Sequence, residues 1–195
     1  MGDDLNDLLA RIRACRACEP KLPLGPRPIP VADARARILV AGQAPGKRVH
    51  ESGVAWNDAS GKRLREWLGL SEEQFYDPAD VALVPMGFCY PGTGASGDNP
   101  PTPDCRRLWH DVLFQHLPNL RLKIIIGQYA QAYHLAERAK ATLTETVAAW
   151  REYATAIYPI PHPSPRNQMW LNRNPWFKSE LVPDMQASVL AALHK

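Results

Sequence analysis

Short apolar runs recur along the chain and predict the strands of a buried sheet. Residues 37–42, 81–84 and 123–127 are such runs, and the first and third end in glycine. Runs this short and this continuously apolar are typical of parallel strands that are covered on both faces. A fourth strand is predicted over residues 155–159, shortly before the sequence His162-Pro163-Ser164.

Segments with a helical period separate these runs. In the first of them, apolar residues recur at the spacing of one helix face, at Leu5, Leu8, Leu9 and Ile12. The same pattern predicts helices over residues 4–15, 61–68, 104–116, 129–139 and 175–193. Strands that alternate with helices indicate an α/β fold, here a three-layer α/β/α sandwich around a central four-stranded parallel sheet. In such sheets, ligands bind beyond the carboxyl ends of the strands.

Length and composition limit the remaining possibilities. The chain has 195 residues, of which 45% are apolar, enough for one hydrophobic core, so we expect a single domain over residues 1–195. No apolar run approaches the roughly 20 residues that cross a bilayer, and the first residues are acidic and amphipathic. We therefore expect a cytoplasmic monomer with no membrane partner. The net charge of +3 permits DNA binding without indicating it.

The loop after the first strand is the first candidate for chemistry. It reads Gly42-Gln43-Ala44-Pro45-Gly46-Lys47, and its glycines let main-chain amides approach a small ligand closely. The spacing differs from that of a Walker loop. A tight turn without a ligand explains the glycines equally well.

A second candidate lies ten residues further on, where Trp56 precedes Asn57 and Asp58. An aromatic ring can stack on a flipped nucleobase, and an amide can read the hydrogen-bonding edge of that base. Core packing of Trp56 and helix capping by Asp58 are the structural alternatives.

The third candidate is the rigid, proline-bounded loop that holds His162. Such a loop suits a histidine that must donate a hydrogen bond at a fixed position as charge develops. Arg166 and Arg173 follow and can bind phosphates. A solvated surface loop is the structural alternative for both.

Taken together, the order and spacing of these motifs resemble the uracil-DNA glycosylase superfamily over nearly the whole chain. The resemblance rests on Gly42 to Gly46, on Trp56, on Ser60-Gly61 at the start of a helix and on His162-Pro163-Ser164. It is nearest to the iron–sulfur members of the thermophile type (family 4-like).

The four cysteines extend the resemblance. Cys15, Cys18, Cys89 and Cys105 are spaced like the ligands of the structural four-iron, four-sulfur (4Fe-4S) cluster of those members. Disulfides are not expected in a cytosolic chain. A four-cysteine zinc site and metal-free thiols remain alternatives, because spacing alone does not separate iron from zinc.

The resemblance implies a base-excision repair enzyme that flips uracil out of DNA and hydrolyses its N-glycosidic bond. It implies that His162 stabilises the departing uracil anion and that Gln43 positions the attacking water. The base would contact the surrounding residues Gly42, Ala44, Trp56, Asn57 and Met86. The DNA would contact Lys47, Ser164, Arg166 and Arg173.

Two positions depart from the family pattern. Gln43 stands where the iron–sulfur members usually carry an acidic residue, and an amide cannot accept a proton from water. Glu51 or Asp58 is the hypothesised replacement. Pro85 stands where an asparagine normally reads the uracil edge, and Asn57 or the amide of Met86 or Gly87 is the nearest substitute.

Three other functions remain open, the first two because of these departures. The first is a glycosylase for another deaminated base, such as hypoxanthine or xanthine. The second is a weakly catalytic protein that binds damaged DNA. The third is a small zinc-containing nucleotide-binding module.

Overall fold

The central sheet is made of four parallel strands in a computed structural model that describes residues 4–95, 97–154 and 156–194. The strands are β1 (Ile38–Ala41), β2 (Val81–Leu83), β5 (Leu122–Ile126) and β6 (Ile157–Ile160). Their order in the sheet is β2-β1-β5-β6. A separate antiparallel hairpin consists of β3 (Thr93–Gly94) and β4 (Gly97–Asp98).

All four predicted strands of the central sheet are confirmed, with ends that shift by one or two residues. The predicted start of the fourth strand, Thr155, lies outside the described residues. The hairpin was not predicted, because its segment is rich in glycine, proline and polar residues and has no strand period.

Alternate residues of each central strand face opposite layers of the core. In β1, Ile38 and Val40 pack into one buried apolar cluster, whereas Leu39 and Ala41 pack into the other. All four side chains are fully buried, as expected for a strand with helices on both sides.

Helices cover both faces of this sheet. They are α1 (Leu5–Arg13), α2 (Lys47–Ser52), α3 (Ala59–Leu68), α4 (Glu72–Tyr76), α5 (Asp111–Gln115), α6 (Gly127–Leu135), α7 (Leu143–Ala148), α8 (Gln168–Arg173) and α9 (Val182–His194). A π-helical turn precedes α5 at Arg106–His110, and another precedes α9 at Phe177–Leu181. Short 3₁₀ turns occupy Glu19–Lys21, Ala136–Arg138, Trp150–Glu152 and Pro165–Asn167.

The helices form the two outer layers that the sequence predicts. Helices α3 and α9 contribute to the cluster that contains Ile38, and helices α1 and α6 contribute to the cluster that contains Leu39. The fold is therefore a three-layer α/β/α sandwich. Within the described parts of the chain, no helix is both long enough and apolar enough to cross a bilayer.

A histidine lies at the centre of the second apolar cluster. His110 is 0% exposed, stacks on Phe88 with 5.3 Å between ring centroids, and meets the edges of Phe114 and Tyr133. Burial lowers the pKa of His110 to about 4, because the charged imidazolium loses its hydration; the nearby Pro85 carbonyl opposes this effect only in part.

We predict that acid destabilises the fold through His110. An unfolded histidine has a pKa of about 6.5, so between about pH 6.5 and about pH 4 the unfolded chain binds a proton at this position that the folded chain does not. The free energy of unfolding therefore decreases as the pH is lowered through this range. His110→Phe lacks this titrating group, so its free energy of unfolding should decrease by about 2 kcal/mol less than that of wild type when the pH is lowered from about 7 to about 4.5. Urea denaturation at both pH values measures the two losses, and equal losses would contradict the prediction.

Candidate active site

A pocket lies at the carboxyl ends of the strands, where the fold class places ligand sites. Its volume is about 570 Å³, within the range of about 300–1,000 Å³ that is usual for small-molecule sites. Its walls are the loop after β1, the turn before α3, Pro85 after β2, the β3–β4 hairpin and the loop after β6.

Trp56 forms one wall of the pocket and is held in a strained backbone conformation. Its φ of 58° lies in the left-handed region, which large side chains rarely adopt. Two glycines make room for it. A Cβ on Gly42 would lie 2.9 Å from Trp56 Cζ2, and a Cβ on Gly61 would lie 1.7 Å from the Trp56 carbonyl oxygen. Gly42 therefore leaves space for the Trp56 ring, and Gly61 leaves space for the Trp56 carbonyl group.

The rings of His162 and Trp56 lie beside each other in the pocket wall. The centroids of the two rings are 5.7 Å apart, and their planes are inclined by 31°. The Ser164 amide donates to His162 Nδ1 at 3.2 Å, so this nitrogen is unprotonated and the ring proton of the neutral form lies on Nε2. Burial lowers the pKa of His162, although the carboxylates of Asp58 and Asp98 act in the opposite direction. The site therefore favours a neutral histidine that donates from Nε2.

The loop of His162 is fixed by neighbouring side chains. Asn167 Nδ2 donates to the His162 carbonyl oxygen at 2.7 Å, and Arg63 Nη1 donates to the Ser164 carbonyl oxygen at 3.3 Å. These bonds tie the loop to its own 3₁₀ turn and to α3. The position of the imidazole therefore depends on more than the two flanking prolines.

The predicted catalytic and base-binding residues of the β1 loop lie at the pocket. Gly42, Gln43 and Ala44 line it, as does Gly46. Gln43 Nε2 donates to the carbonyl oxygens of Asn99 at 2.9 Å and Asp98 at 3.4 Å. The Gln43 amide thus anchors the β3–β4 hairpin over the loop.

Two predicted base-binding residues lie elsewhere. Asn57 is exposed and is not part of the pocket wall, because the left-handed turn at Trp56 carries the next residue outwards. Met86 is buried in the cluster that contains Leu39. Its amide donates to the Gly42 carbonyl oxygen at 2.8 Å, and the Gly87 amide donates to the Gln43 carbonyl oxygen at 2.9 Å. These amides bind the β1 loop and are not directed at a ligand.

The two hypothesised replacement carboxylates have different positions. Glu51 is exposed on α2, outside the pocket wall, and its Oε1 lies 3.9 Å from Lys47 Nζ. Asp58 lines the pocket, but its Oδ1 accepts a hydrogen bond from the Gly61 amide at 2.8 Å and caps α3. The geometry thus removes Glu51 from the site and gives Asp58 a capping role.

The predicted DNA-binding residues lie at the rim and on the surface. Ser164 and Arg166 line the pocket; the Ser164 hydroxyl accepts a hydrogen bond from the Arg166 amide at 3.2 Å. Lys47 is exposed at the start of α2, and Arg173 is exposed near the end of α8, both outside the pocket wall.

Sequence reasoning missed three polar residues of the pocket wall, namely Ser60, Asp98 and Asn167. Ser60 carried a usable signal, since it precedes Gly61 in a motif already recognised. Asp98 and Asn167 carried none, because they belong to a short hairpin and a 3₁₀ turn that have no periodicity.

The four cysteines line a second, much smaller cavity. All are free thiols, and they reach this cavity from the N-terminal segment, from the segment after β2 and from the start of the π-helical turn. Leu22, Phe88 and Trp109 are among the apolar residues around them. The Cys18 thiol donates to Asp104 at 3.4 Å, and Cys105 accepts from the Phe88 amide at 3.3 Å. No three His, Cys, Asp or Glu side chains among the described residues are grouped around one metal-ion position.

A family model provides an independent comparison. The model described as "Uracil DNA glycosylase superfamily" matches residues 29–186, which is more than half of the chain. The match includes the whole wall of the main pocket, together with Cys89 and Cys105, but not Cys15 and Cys18. Fold, pocket and family model thus agree, and the chain belongs to the uracil DNA glycosylase superfamily, a group of DNA-binding hydrolases that cleave N-glycosidic bonds.

Proposed function

We propose that the chain is a monofunctional glycosylase that flips uracil out of DNA and hydrolyses its N-glycosidic bond to leave an abasic site. The observation that carries this proposal is the pairing of Trp56 with a neutral His162 in one pocket. Glycosylases cannot reach the bond inside a stacked duplex and therefore need a pocket that receives one extruded base. A pocket with one aromatic wall and one directed hydrogen-bond donor suits that purpose.

In the proposed reaction, Trp56 stacks on the flipped base and His162 Nε2–H donates to a carbonyl oxygen of that base. The N-glycosidic bond breaks with its electron pair on the base, so negative charge grows on that oxygen. A fixed donor that strengthens as charge develops lowers the barrier by about 3 kcal/mol. The Ser164 amide holds the tautomer that this donation requires.

Contacts with the DNA backbone are assigned to the rim. Arg166 and Ser164 lie at the mouth of the pocket, where they would bind the phosphates beside the flipped nucleotide. Lys47 and Arg173 would bind phosphates further away and add mainly sequence-independent affinity.

Replacement of His162 tests the proposal. His162→Ala should release uracil about 100-fold more slowly than wild type, because the leaving anion loses its donor. Oligonucleotides that hold a single uracil, in duplex and single-stranded form, measure the release rate with enzyme in excess. The matched control is His194→Ala, on the exposed end of α9, which should retain the wild-type rate. Uracil release that is equally fast in His162→Ala would refute the assigned role.

Pro85 favours a second candidate, a glycosylase for another deaminated base. Pro85 lines the pocket without a side-chain amide, and the Met86 and Gly87 amides are used within the protein. Ser60 and Asn167 are the wall residues with polar groups suited to reading a base edge. Matched oligonucleotides with hypoxanthine or xanthine separate the two candidates. Release of these bases without release of uracil would select the second, and tight binding of damaged DNA without release of any base would indicate a binding protein.

We also propose that the four cysteines bind a structural 4Fe-4S cluster. Four free thiols line one cavity with an apolar surround. A four-iron cluster takes one thiolate at each iron, so four cysteines complete its ligand set. Bound there, the cluster would link α1 to the segments after β2 and before α5, and its binding energy would stabilise the fold.

Metal analysis tests the cluster. Protein purified without oxygen should contain four iron atoms and four sulfides per chain and show the broad visible absorption of such clusters. Cys89→Ser should lose the iron and unfold at a lower temperature, because metal–thiolate bonds that only the folded state assembles are lost. Stoichiometric zinc in wild type, or no metal together with an unchanged melting temperature in Cys89→Ser, would contradict the proposal.

We also propose that Met169 enters the base stack. It is 66% exposed, whereas its neighbour Leu171 is buried and Trp170 donates from Nε1 to Thr144 Oγ1 at 2.8 Å. An exposed apolar side chain, here two residues beyond the wall residue Asn167, can fill the space that a flipped base leaves.

Met169→Ala should slow uracil release from duplex DNA by about tenfold, while release from single-stranded DNA changes little, because only the duplex has a stack to open. Single-turnover rates on both forms measure the difference. Leu190→Ala, an exposed apolar control on α9, should leave both rates unchanged. Equal slowing on the two forms of DNA would contradict a wedge role for Met169.

A further inference from the structure

Hydrolysis of an N-glycosidic bond requires a water molecule and benefits from a carboxylate near the sugar. The carboxylate accepts a proton from the water and offsets the positive charge that develops on the sugar. Residue 43 offers only an amide, Glu51 lies outside the pocket, and Asp58 caps α3. In the loop after β1 and the turn before α3, Asp58 is thus the carboxylate of the pocket wall, and its Oδ1 is engaged in capping α3.

The β3–β4 hairpin brings a different carboxylate to the pocket. Asp98 is a wall residue, and its Oδ2 lies 3.4 Å from the position that a Cβ on Gly46 would occupy. Its Oδ1 accepts a hydrogen bond from Thr93 Oγ1 at 3.2 Å, across the hairpin. The carboxylate is thus oriented from one side and lies against the loop that the family uses to position water.

Gln43 is what holds this hairpin in place. Its amide donates to the main-chain oxygens of both Asp98 and Asn99. A glutamate at position 43 would direct its own negative charge at these two carbonyl oxygens and could not donate to them. The departure from the family pattern at Gln43 and the position of Asp98 therefore belong to one arrangement.

The electrostatics of the pocket agree with this placement. Burial lowers the pKa of His162, and the carboxylates of Asp58 and Asp98 each act in the opposite direction, so both are close enough to influence the ring. Arg166 Nη1 lies 3.2 Å from the position of a Cβ on Gly97, which places a rim arginine against the same hairpin.

We propose that Asp98 is the catalytic carboxylate of this chain, in place of the acidic residue that position 43 lacks. The inference rests on the proposed glycosylase function. In the step, a water oxygen forms a bond to the anomeric carbon of the sugar, and the N-glycosidic bond breaks with its electron pair on the base. The water proton passes to the Asp98 carboxylate, and the base leaves as an anion stabilised by His162.

The test compares variants of the full-length protein on a DNA substrate that wild type cleaves. Asp98→Asn keeps the size of the side chain and its acceptor for Thr93 but cannot take a proton, so single-turnover base release should fall by about 100-fold or more. Binding to duplex DNA with a tetrahydrofuran abasic site should be no weaker than in wild type, because a negative charge has been removed from a DNA-binding surface. In Asp98→Ala, added formate should raise the release rate by about tenfold, because the small carboxylate can occupy the vacated space.

Two controls separate catalysis from folding of the hairpin. Thr93→Val removes the hydrogen bond that stabilises the hairpin but leaves the carboxylate, so it should slow release far less than Asp98→Asn. Glu51→Gln removes an acidic side chain that lies outside the pocket wall and should retain the wild-type rate.

Each alternative outcome has a clear meaning. Asp98→Asn as active as wild type would overturn the inference while leaving the glycosylase function intact, as would a Gln43→Glu variant that is faster than wild type. Equal losses in Thr93→Val and Asp98→Asn without formate rescue would show a structural role and also overturn it. A wild type that releases no base from any deaminated substrate would overturn the proposed function and this inference with it.

Discussion

The pocket depends on the close approach of Trp56 to two glycines. A tryptophan with a φ of 58° is unfavourable by itself, and the fold tolerates it because Gly42 and Gly61 leave space for the ring and for its carbonyl group. Gly42 directly follows β1, and Gly61 lies in the first turn of α3. The strained backbone of Trp56 is thus held between two regular elements, which gives its ring a defined position beside His162.

The chemistry follows from what surrounds that pair. The Ser164 amide selects the tautomer of His162, and burial keeps the ring neutral against the pull of two carboxylates. A neutral donor is suited to an anionic leaving group. It stabilises the negative charge that develops on the departing base, and the pocket does not have to bury a charged imidazolium before the base arrives. The carboxylate side of the reaction is assigned to the hairpin that Gln43 holds, so a change at one motif position is matched by a change in a distant loop.

The sequence was sufficient for the sheet, the layers and most of the pocket. Residues 124–126, for example, are three consecutive isoleucines, and a short run of β-branched apolar residues is typical of a strand covered on both faces. Local pattern could not give the orientation of Met86 or Asn57. Met86 follows a strand whose alternation turns it into the core, and Asn57 follows a left-handed residue that reverses its direction. The sequence also could not indicate the hairpin, since strands of two residues with glycines have no recognisable period, and Asp98 was missed with it.

The proposed chemistry depends on the tautomer and charge of His162, and nuclear magnetic resonance of the protein labelled with ¹⁵N in its histidines measures both. Near neutral pH we expect a neutral ring with a protonated Nε2 and an unprotonated Nδ1, and we expect this state to persist when the protein binds DNA with an abasic site. A His162 that is an imidazolium at neutral pH, or that carries its proton on Nδ1, would refute the proposed chemistry, because Nε2 would then not be a neutral donor.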